Sequence, residues 1–229
     1  MFLSSVKKLS RGLLNFALPP LCVCCENILE HCENFVCKKC FSELELIDDS
    51  DNLLQVSNEH LIDDLVSVYA FPEEGGFQNI MHALKYREMR SIGVMFGKIL
   101  GEKILTHRKF HYDLIVPVPL HISKQRERIY NQSCFVAKGI SEVTGIPAEE
   151  KILMRSRYTK SQTKLDHIER ELNIKNAFYI NENKKKLIPG KNIILVDDVI
   201  TTGSTIVECA KVLKECGAKK IMTASIARA

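Results

Sequence analysis

Residues 192–205 read NIILVDDVITTGST, and this stretch sets the fold class. Ile193, Ile194, Leu195 and Val196 form an apolar, mostly β-branched run, the pattern of a strand buried on both faces of a sheet. Asp197 and Asp198 then place two carboxylates where that strand leaves the core. The small hydroxyl-rich loop Thr201, Thr202, Gly203, Ser204 and Thr205 follows, and a helical pattern begins at once. Ligands of open α/β sheets gather beyond the carboxyl ends of the strands, where helix N-termini offer free N–H groups and partial positive charge to an anion. Gly203 lets the backbone approach such an anion and accepts φ above zero, while the four hydroxyls add donors. The acidic pair repels phosphate, so it suits sugar hydroxyls or an intervening Mg²⁺. The stretch predicts a site for a phosphorylated sugar. A receiver-type acidic pair, or the acidic strand end of a P-loop ATPase, fits part of it, but the chain holds no GxxxxGK[ST] segment to cradle a triphosphate.

The surrounding pattern is that of one α/β domain with an appendage, within 229 residues of which 45% are hydrophobic. Strands are expected at 66–71, 114–116, 152–154, 178–180, 192–196 and 221–226, with 114–116 stopped by Pro117 and Pro119. Helices are expected at 76–87, 92–105, 133–143 and 165–174. In the helix after the acidic pair, Ile206, Cys209, Ala210, Leu213 and Cys216 form the inward stripe and Gly217 the C-terminal cap. Alternating strands and helices imply a mainly parallel, doubly wound sheet. Residues 41–84 hold ten acids and no Lys or Arg, so the net charge of +4 leaves the remainder strongly basic, which suits a polyphosphate ligand or a nucleic-acid backbone. Residues 46–65 of this acidic stretch read as a linker between a module at 1–45 and the main domain at 66–229.

The module is marked by Cys22-x-x-Cys25 and Cys37-x-x-Cys40, two pairs separated by eleven residues. This spacing can wrap four thiolates around Zn²⁺ as a closed, structural site in a piece too short to own a core. Cys24, His31 and Cys32 stand nearby as alternative ligands, and Cys24 either goes unused or replaces Cys25. Nine cysteines make an odd number, which argues against a disulfide framework; Cys134, Cys209 and Cys216 fit as small core residues on helices. The opening MFLSSVKKLSRGLLNFALPP carries Lys7, Lys8 and Arg11 within its apolar stretch, unlike a signal peptide, and reads as an amphipathic helix docked on the protein. No apolar run approaches the roughly 18 residues that span a membrane. A cytoplasmic protein is expected.

Two basic segments could serve the anionic ligand. The loop PVPLHISKQRERIYNQ, 117–132, leaves the same sheet edge as the acidic pair, and the guanidinium forks of Arg126 and Arg128, with Lys124 near, match phosphate oxygens. Arg155, Arg157, Thr159, Lys160, Gln162, Thr163 and Lys164 form a second polar stretch, either a flap over the ligand or a plain surface loop. Lys184, Lys185 and Lys186 read as a solvated loop.

Taken in order, the double CxxC, KYR at 85–87, PVPLH at 117–121, the RxR…NQ of Arg126, Arg128, Asn131 and Gln132, R-x-R-x-T-x-x-Q at 155–162 and DDVITTGST at 197–205 resemble the ComF family of competence-associated, phosphoribosyltransferase-like proteins, to which the GntX proteins also belong. The resemblance covers about residues 18–228. The family reads Arg-Gly-Phe-Asn-Gln where this chain has Arg128-Ile129-Tyr130-Asn131-Gln132. It implies a type I phosphoribosyltransferase fold that binds phosphoribosyl pyrophosphate (PRPP) with Mg²⁺. Thr201 to Thr205 would then hold the 5′-phosphate, Asp197 and Asp198 the ribose and metal as catalytic residues, and Arg126 and Arg128 the leaving pyrophosphate; Asp198 would also act on the nucleophile's proton. The implied setting is bacterial uptake of single-stranded DNA in transformation, as a phosphoribosyltransferase or as a non-catalytic phosphate-ligand or single-stranded-DNA adaptor of other competence proteins. No segment carries a nucleobase-pocket pattern, so the acceptor stays open.

Overall fold

A computed structural model of the chain describes residues 19–47, 60–72, 74–107, 109–120, 129–155 and 177–229. The expected N-terminal helix, the helix at 165–174, most of the 46–65 segment, and Lys124, Arg126 and Arg128 lie outside those residues. Two compact units emerge from the pattern of contacts: residues up to 44 with 72–83, and residues 45–71 with 84–229.

The first unit is built around the cysteines. Its helix α1 (Lys38–Ser42) starts at the N-cap Cys37, and Glu33 receives the Lys38 N–H at 2.7 Å and the Glu30 N–H at 2.8 Å. Helix α2 (Gly76–Tyr86) begins in this unit and has its last turn assigned to the second.

The second unit holds a four-stranded, all-parallel sheet in the order β1-β6-β5-β2, from β1 (Asp64–Ala70), β2 (Leu114–Pro117), β5 (Asn192–Ile200) and β6 (Lys220–Arg228). Strand β5 is buried through its apolar run Ile193 to Val196, and β6 from Ile221 to Arg228. Helices α3 (Arg90–His107), α4 (Gln132–Thr144) and α5 (Ser204–Glu215) cover the sheet. Ile206, Cys209, Ala210 and Leu213 of α5 share one core cluster with Leu114, Val116, Ile193, Leu195 and Ile221. Helices α3 and α4 pack against each other and against the strands, with Tyr69 edge-on to Phe96 at 5.7 Å. The antiparallel pair β3 (Leu153–Arg155) and β4 (Phe178–Ile180) joins the α5 cluster. Both sheet edges are occupied: Leu46 pairs with Tyr69 beside β1, and Ala148 with Ile115 beside β2, which protects the ladder from stray pairing. The doubly wound, mainly parallel α/β reading holds.

Three local expectations shift. Strand β5 runs to Ile200 instead of ending at Val196, because β6 continues the ladder through Asp197↔Ser225, Val199↔Ala227 and Ile200↔Arg228. Residues 182–187 form a 3₁₀ helix instead of a loop, capped by Asn181, and Lys184 Nζ reaches Glu149 Oε2 at 2.7 Å and the Glu150 carbonyl at 2.8 Å. Helix α5 ends at Glu215, with Gly217 just beyond at φ +93°.

Candidate functional site

The acidic pair sits where two neighbours of β5 part company. β2 stops at Pro117, opposite Val196, while β6 stays paired to Ile200. Pro117 and Pro119 cannot donate to a ladder, so the chain turns away after Val118, whose N–H makes the last bond to the Val196 carbonyl at 2.8 Å. The last stretch of β5 is therefore uncovered on its β2 side. A cavity of about 350 Å³ opens there, and Lys85, Ser133, Arg155, Asp197, Asp198 and Thr205 are among the residues that line it, with Thr201 at its rim.

Two helices start at this cavity. Helix α4 is capped by Asn131, whose Oδ1 accepts the Ser133 N–H at 3.3 Å while its Nδ2 donates to the Val118 carbonyl at 2.8 Å. Helix α5 starts from Gly203, left-handed at φ +75°, which makes no side-chain cap; Thr202 Oγ1 and Ser204 Oγ lie 3.0 Å apart in the same turn. The positive ends of both helix dipoles thus border a space whose floor is acidic. An elongated ligand with an anion at each end and hydroxyls between them matches that distribution.

The two carboxylates are held differently. Asp197 Oδ1 accepts from Ser133 Oγ and from the Asp198 N–H, both at 2.9 Å. Burial, and then the charge of Asp198, outweigh those donors and push its carboxyl up to about 7. Asp198 Oδ1 accepts the Val199 N–H at 2.9 Å. Its Oδ2 is shut off from solvent and accepts no hydrogen bond from the described residues; the Lys85 ammonium lies 3.4 Å away. A buried carboxylate oxygen without a donor fits a cation or a sugar hydroxyl, so the acidic pair fits the Mg²⁺ expected with a pyrophosphate-bearing sugar. Arg155 stacks over the Phe178 ring at 5.0 Å, and its Nε has no hydrogen-bond partner among the described residues. Burial lowers its basicity, against the opposing charge of Asp197.

In the first unit, the Sγ atoms of Cys22, Cys25, Cys37 and Cys40 all lie within 4.8 Å of one another, with Cys25 and Cys37 3.8 Å apart. Tetrahedral bonds of about 2.3 Å place sulfurs ~3.8 Å apart, so the cluster fits Zn²⁺. The Cys37 N–H donates to Cys22 Sγ at 3.3 Å and the Cys40 N–H to Cys37 Sγ at 3.5 Å, donors that orient and stabilise bound thiolates. Four thiols cannot all ionise together unaided. Burial opposes the Cys22 thiolate, yet the N–H groups of Cys37, Cys25 and Cys24 bring it down to about 6. Burial and then its neighbours hold Cys40 well above its usual range. Cys24, outside the four, is pushed up to about 12 by burial and the charge of Cys22.

Asp197, Asp198, Thr201 and Thr205 therefore meet at one cavity, with Thr202, Gly203 and Ser204 in its adjoining turn. Reading the residues alone missed the parts supplied by Lys85 and Ser133. Lys85 belonged to the KYR block, but nothing in its spacing ties it to a strand more than a hundred residues away. Ser133 carried one usable signal, a hydroxyl in the first turn of a helix that leaves the same sheet edge.

Residues 93–229 match the phosphoribosyl transferase domain family. The chain is 30% identical to competence protein F of Haemophilus influenzae over 224 residues, which cover 96% of this chain and 95% of that protein. It is 29% identical to the DNA utilization protein YhgH of Escherichia coli K12 over 153 residues, 65% of this chain and 66% of that one. It is also 30% identical to competence protein ComFC of Streptococcus pneumoniae over 134 residues, 58% and 55%. Among the described residues no helix is long and apolar enough to cross a membrane.

Proposed function

The chain belongs to the ComF family of phosphoribosyltransferase-like proteins, and from that premise we propose that its cavity binds PRPP with Mg²⁺ and that the protein serves the uptake and use of DNA. The setting rests on relatives named for competence and DNA utilization. The ligand rests on one observation: two helix starts and two cationic side chains surround an acidic floor in a cavity of about 350 Å³.

In this reading the turn Thr201 to Thr205 holds the 5′-phosphate at the α5 N-terminus. Asp197 and Asp198 take the ribose diol, the start of α4 takes the pyrophosphate, and Arg126 and Arg128 are proposed as its cationic partners. Asp197 and Asp198 would hold Mg²⁺, which would supply charge neutralisation for the leaving group. Pyrophosphate departure leaves positive charge on the anomeric carbon, which the fixed carboxylates stabilise without reorganising. Asp197 replaces Asp198 as the proposed acceptor of the nucleophile's proton, because burial and the charge of Asp198 push its carboxyl up to about 7. The cysteine module holds structural zinc.

Calorimetric titration with PRPP and Mg²⁺ tests this directly. Saturable binding, lost in Asp198→Ala, is expected; absence of heat with the zinc-loaded, folded protein would remove the reading. Pyrophosphate release with candidate acceptors then separates a transferase from a binding adaptor, and salt-dependent binding of single-stranded DNA without turnover marks the adaptor.

A further inference from the structure

Lys85 lies in the last turn of helix α2 beside the cavity, and its placement is fixed from a second direction. The Tyr130 hydroxyl donates to the carbonyl of Leu84, the residue before Lys85. Tyr130 itself is wedged by Phe135, edge-on at 5.1 Å, and by the Arg90 guanidinium over its ring at 5.0 Å. Helix α2's last turn is thereby anchored to the residues that lead into α4. At the tip, the Lys85 ammonium stands 3.4 Å from Asp198 Oδ2, with the lysine side chain 22% exposed and that of Asp198 14%.

Lys85 and Asp198 form an ion pair that lacks a hydrogen bond. Asp198 Oδ2 faces Lys85 without a hydrogen bond, so the ammonium neutralises the carboxylate without satisfying it. The same oxygen is the one whose missing hydrogen bond a divalent cation or a sugar hydroxyl would replace. An ammonium this close repels an approaching divalent cation, since in a cavity of low dielectric like charges a few ångströms apart interact strongly. An anionic group entering with the cation reverses the balance, because Lys85 can turn from the carboxylate to the newcomer.

We propose that Lys85 is a charge gate on the acidic pair: it excludes a free divalent cation from Asp198 and, when a polyphosphate enters, transfers its contact to that anion and leaves the carboxylate to the metal. This rests on the reading of the cavity as a PRPP site and adds a residue and an order to it. The metal enters as its complex with the pyrophosphate group, and ligands lacking an anion beside the anomeric carbon, such as ribose 5-phosphate, do not open the gate. Lys85 is a positioning and specificity residue here, acting through Asp198 and the ligand's charge.

The test uses the full-length, zinc-loaded protein, with Mn²⁺ as a spectroscopic substitute for Mg²⁺ and inorganic pyrophosphate as the anion. Free Mn²⁺ is followed by electron paramagnetic resonance in wild type, Lys85→Met and Lys85→Arg. Wild type should bind Mn²⁺ weakly alone and at least tenfold more tightly with pyrophosphate present. Lys85→Met should bind Mn²⁺ alone severalfold more tightly than wild type and metal-free pyrophosphate more weakly, so that the coupling between the two shrinks. Lys85→Arg should restore it. A structural role predicts that Lys85→Met weakens both ligands alike or neither, and either result overturns the gate. Thermal melts identify a variant that has lost its fold, and then Lys85→Gln replaces it in the same comparison. If wild-type protein binds PRPP with Mg²⁺ while Lys85→Met matches it in every titration, the gate fails and the site stands. If wild type binds neither PRPP nor pyrophosphate, the site itself fails.

Discussion

Ser133 Oγ donates to Asp197 Oδ1 over 2.9 Å, joining the first turn of α4 to the end of β5. The bond is one link in a chain. Asn131 fixes the Ser133 N–H and the Val118 carbonyl, and the Asp198 N–H reaches the same Asp197 oxygen. The carboxylate is therefore aimed before any ligand arrives, and its aim depends on a first-turn serine 64 residues earlier in the chain.

Asp197 should make stability depend on pH. Burial and the neighbouring Asp198 raise its carboxyl from 3.8 to about 7. A carboxyl raised on folding favours the folded state while protonated in both states, and that contribution is lost as pH rises from the unfolded value through the folded one. The wild type should lose on the order of 2 kcal/mol relative to Asp197→Asn between pH 4 and 7, after discounting for partial exposure. Urea unfolding of both proteins at pH 4 and 7, without added divalent cation, measures the change. Parallel pH dependences would show that Asp197 titrates normally.

Helices α3 and α4 should tolerate no side chain at their crossing. A Cβ on Gly97 would lie 2.3 Å from the Val136 carbonyl oxygen, and one on Gly139 2.3 Å from that of Val94. Both obstacles are backbone and cannot rotate aside. Alanine gains about 1 kcal/mol in helix propensity, but overpacking of this kind costs roughly 1–3 kcal/mol or more, so the clash wins. Gly97→Ala should lower the urea midpoint clearly with little change in slope. Gly145→Ala, where the Cβ would meet nothing within 4 Å but φ is +71°, should cost only about 1 kcal/mol.

The parts of this fold that the sequence displays are those where one run of residues does one job. Ile193 to Val196 could only be a buried strand, and the CxxC pairs could only bring four sulfurs together. The parts it hides depend on partners far along the chain. Strand β5 continues past Val196 because β6 offers a ladder there, which no pattern within 192–205 reveals. Lys184 looked solvated because Glu149, its partner, lies 35 residues away.

The cysteine cluster should carry one zinc ion. Four sulfurs within 4.8 Å and two backbone N–H···S bonds predict about one zinc per chain by inductively coupled plasma mass spectrometry. Cys37→Ser should remove most of it, since Cys37 is also the α1 N-cap and accepts the Cys40 N–H. Cys24→Ser should leave the metal in place. Equal loss in both variants would make Cys24 a ligand and reopen the choice between Cys24 and Cys25.

Gly203 separates the backbone and anion-binding roles of the signature turn. Its φ of +75° puts it in the left-handed region, where a non-glycine residue costs about 1–2 kcal/mol. The Val207 N–H already bonds to the Gly203 carbonyl at 2.9 Å, so the helix itself is anchored from this residue and should persist. Gly203→Ala is therefore expected to destabilise the protein by about 1 kcal/mol and, separately, to weaken ribose 5-phosphate binding about tenfold by filling the space where a phosphate meets the α5 N-terminus. Thr202→Ala, which removes only a hydroxyl bonded to Ser204, should cost less in both measurements. Calorimetry with ribose 5-phosphate beside urea unfolding reads the two effects independently. Unchanged affinity with the full loss of stability would move the phosphate away from this turn, leaving Thr201 and Thr205 as cavity walls without an anion to hold.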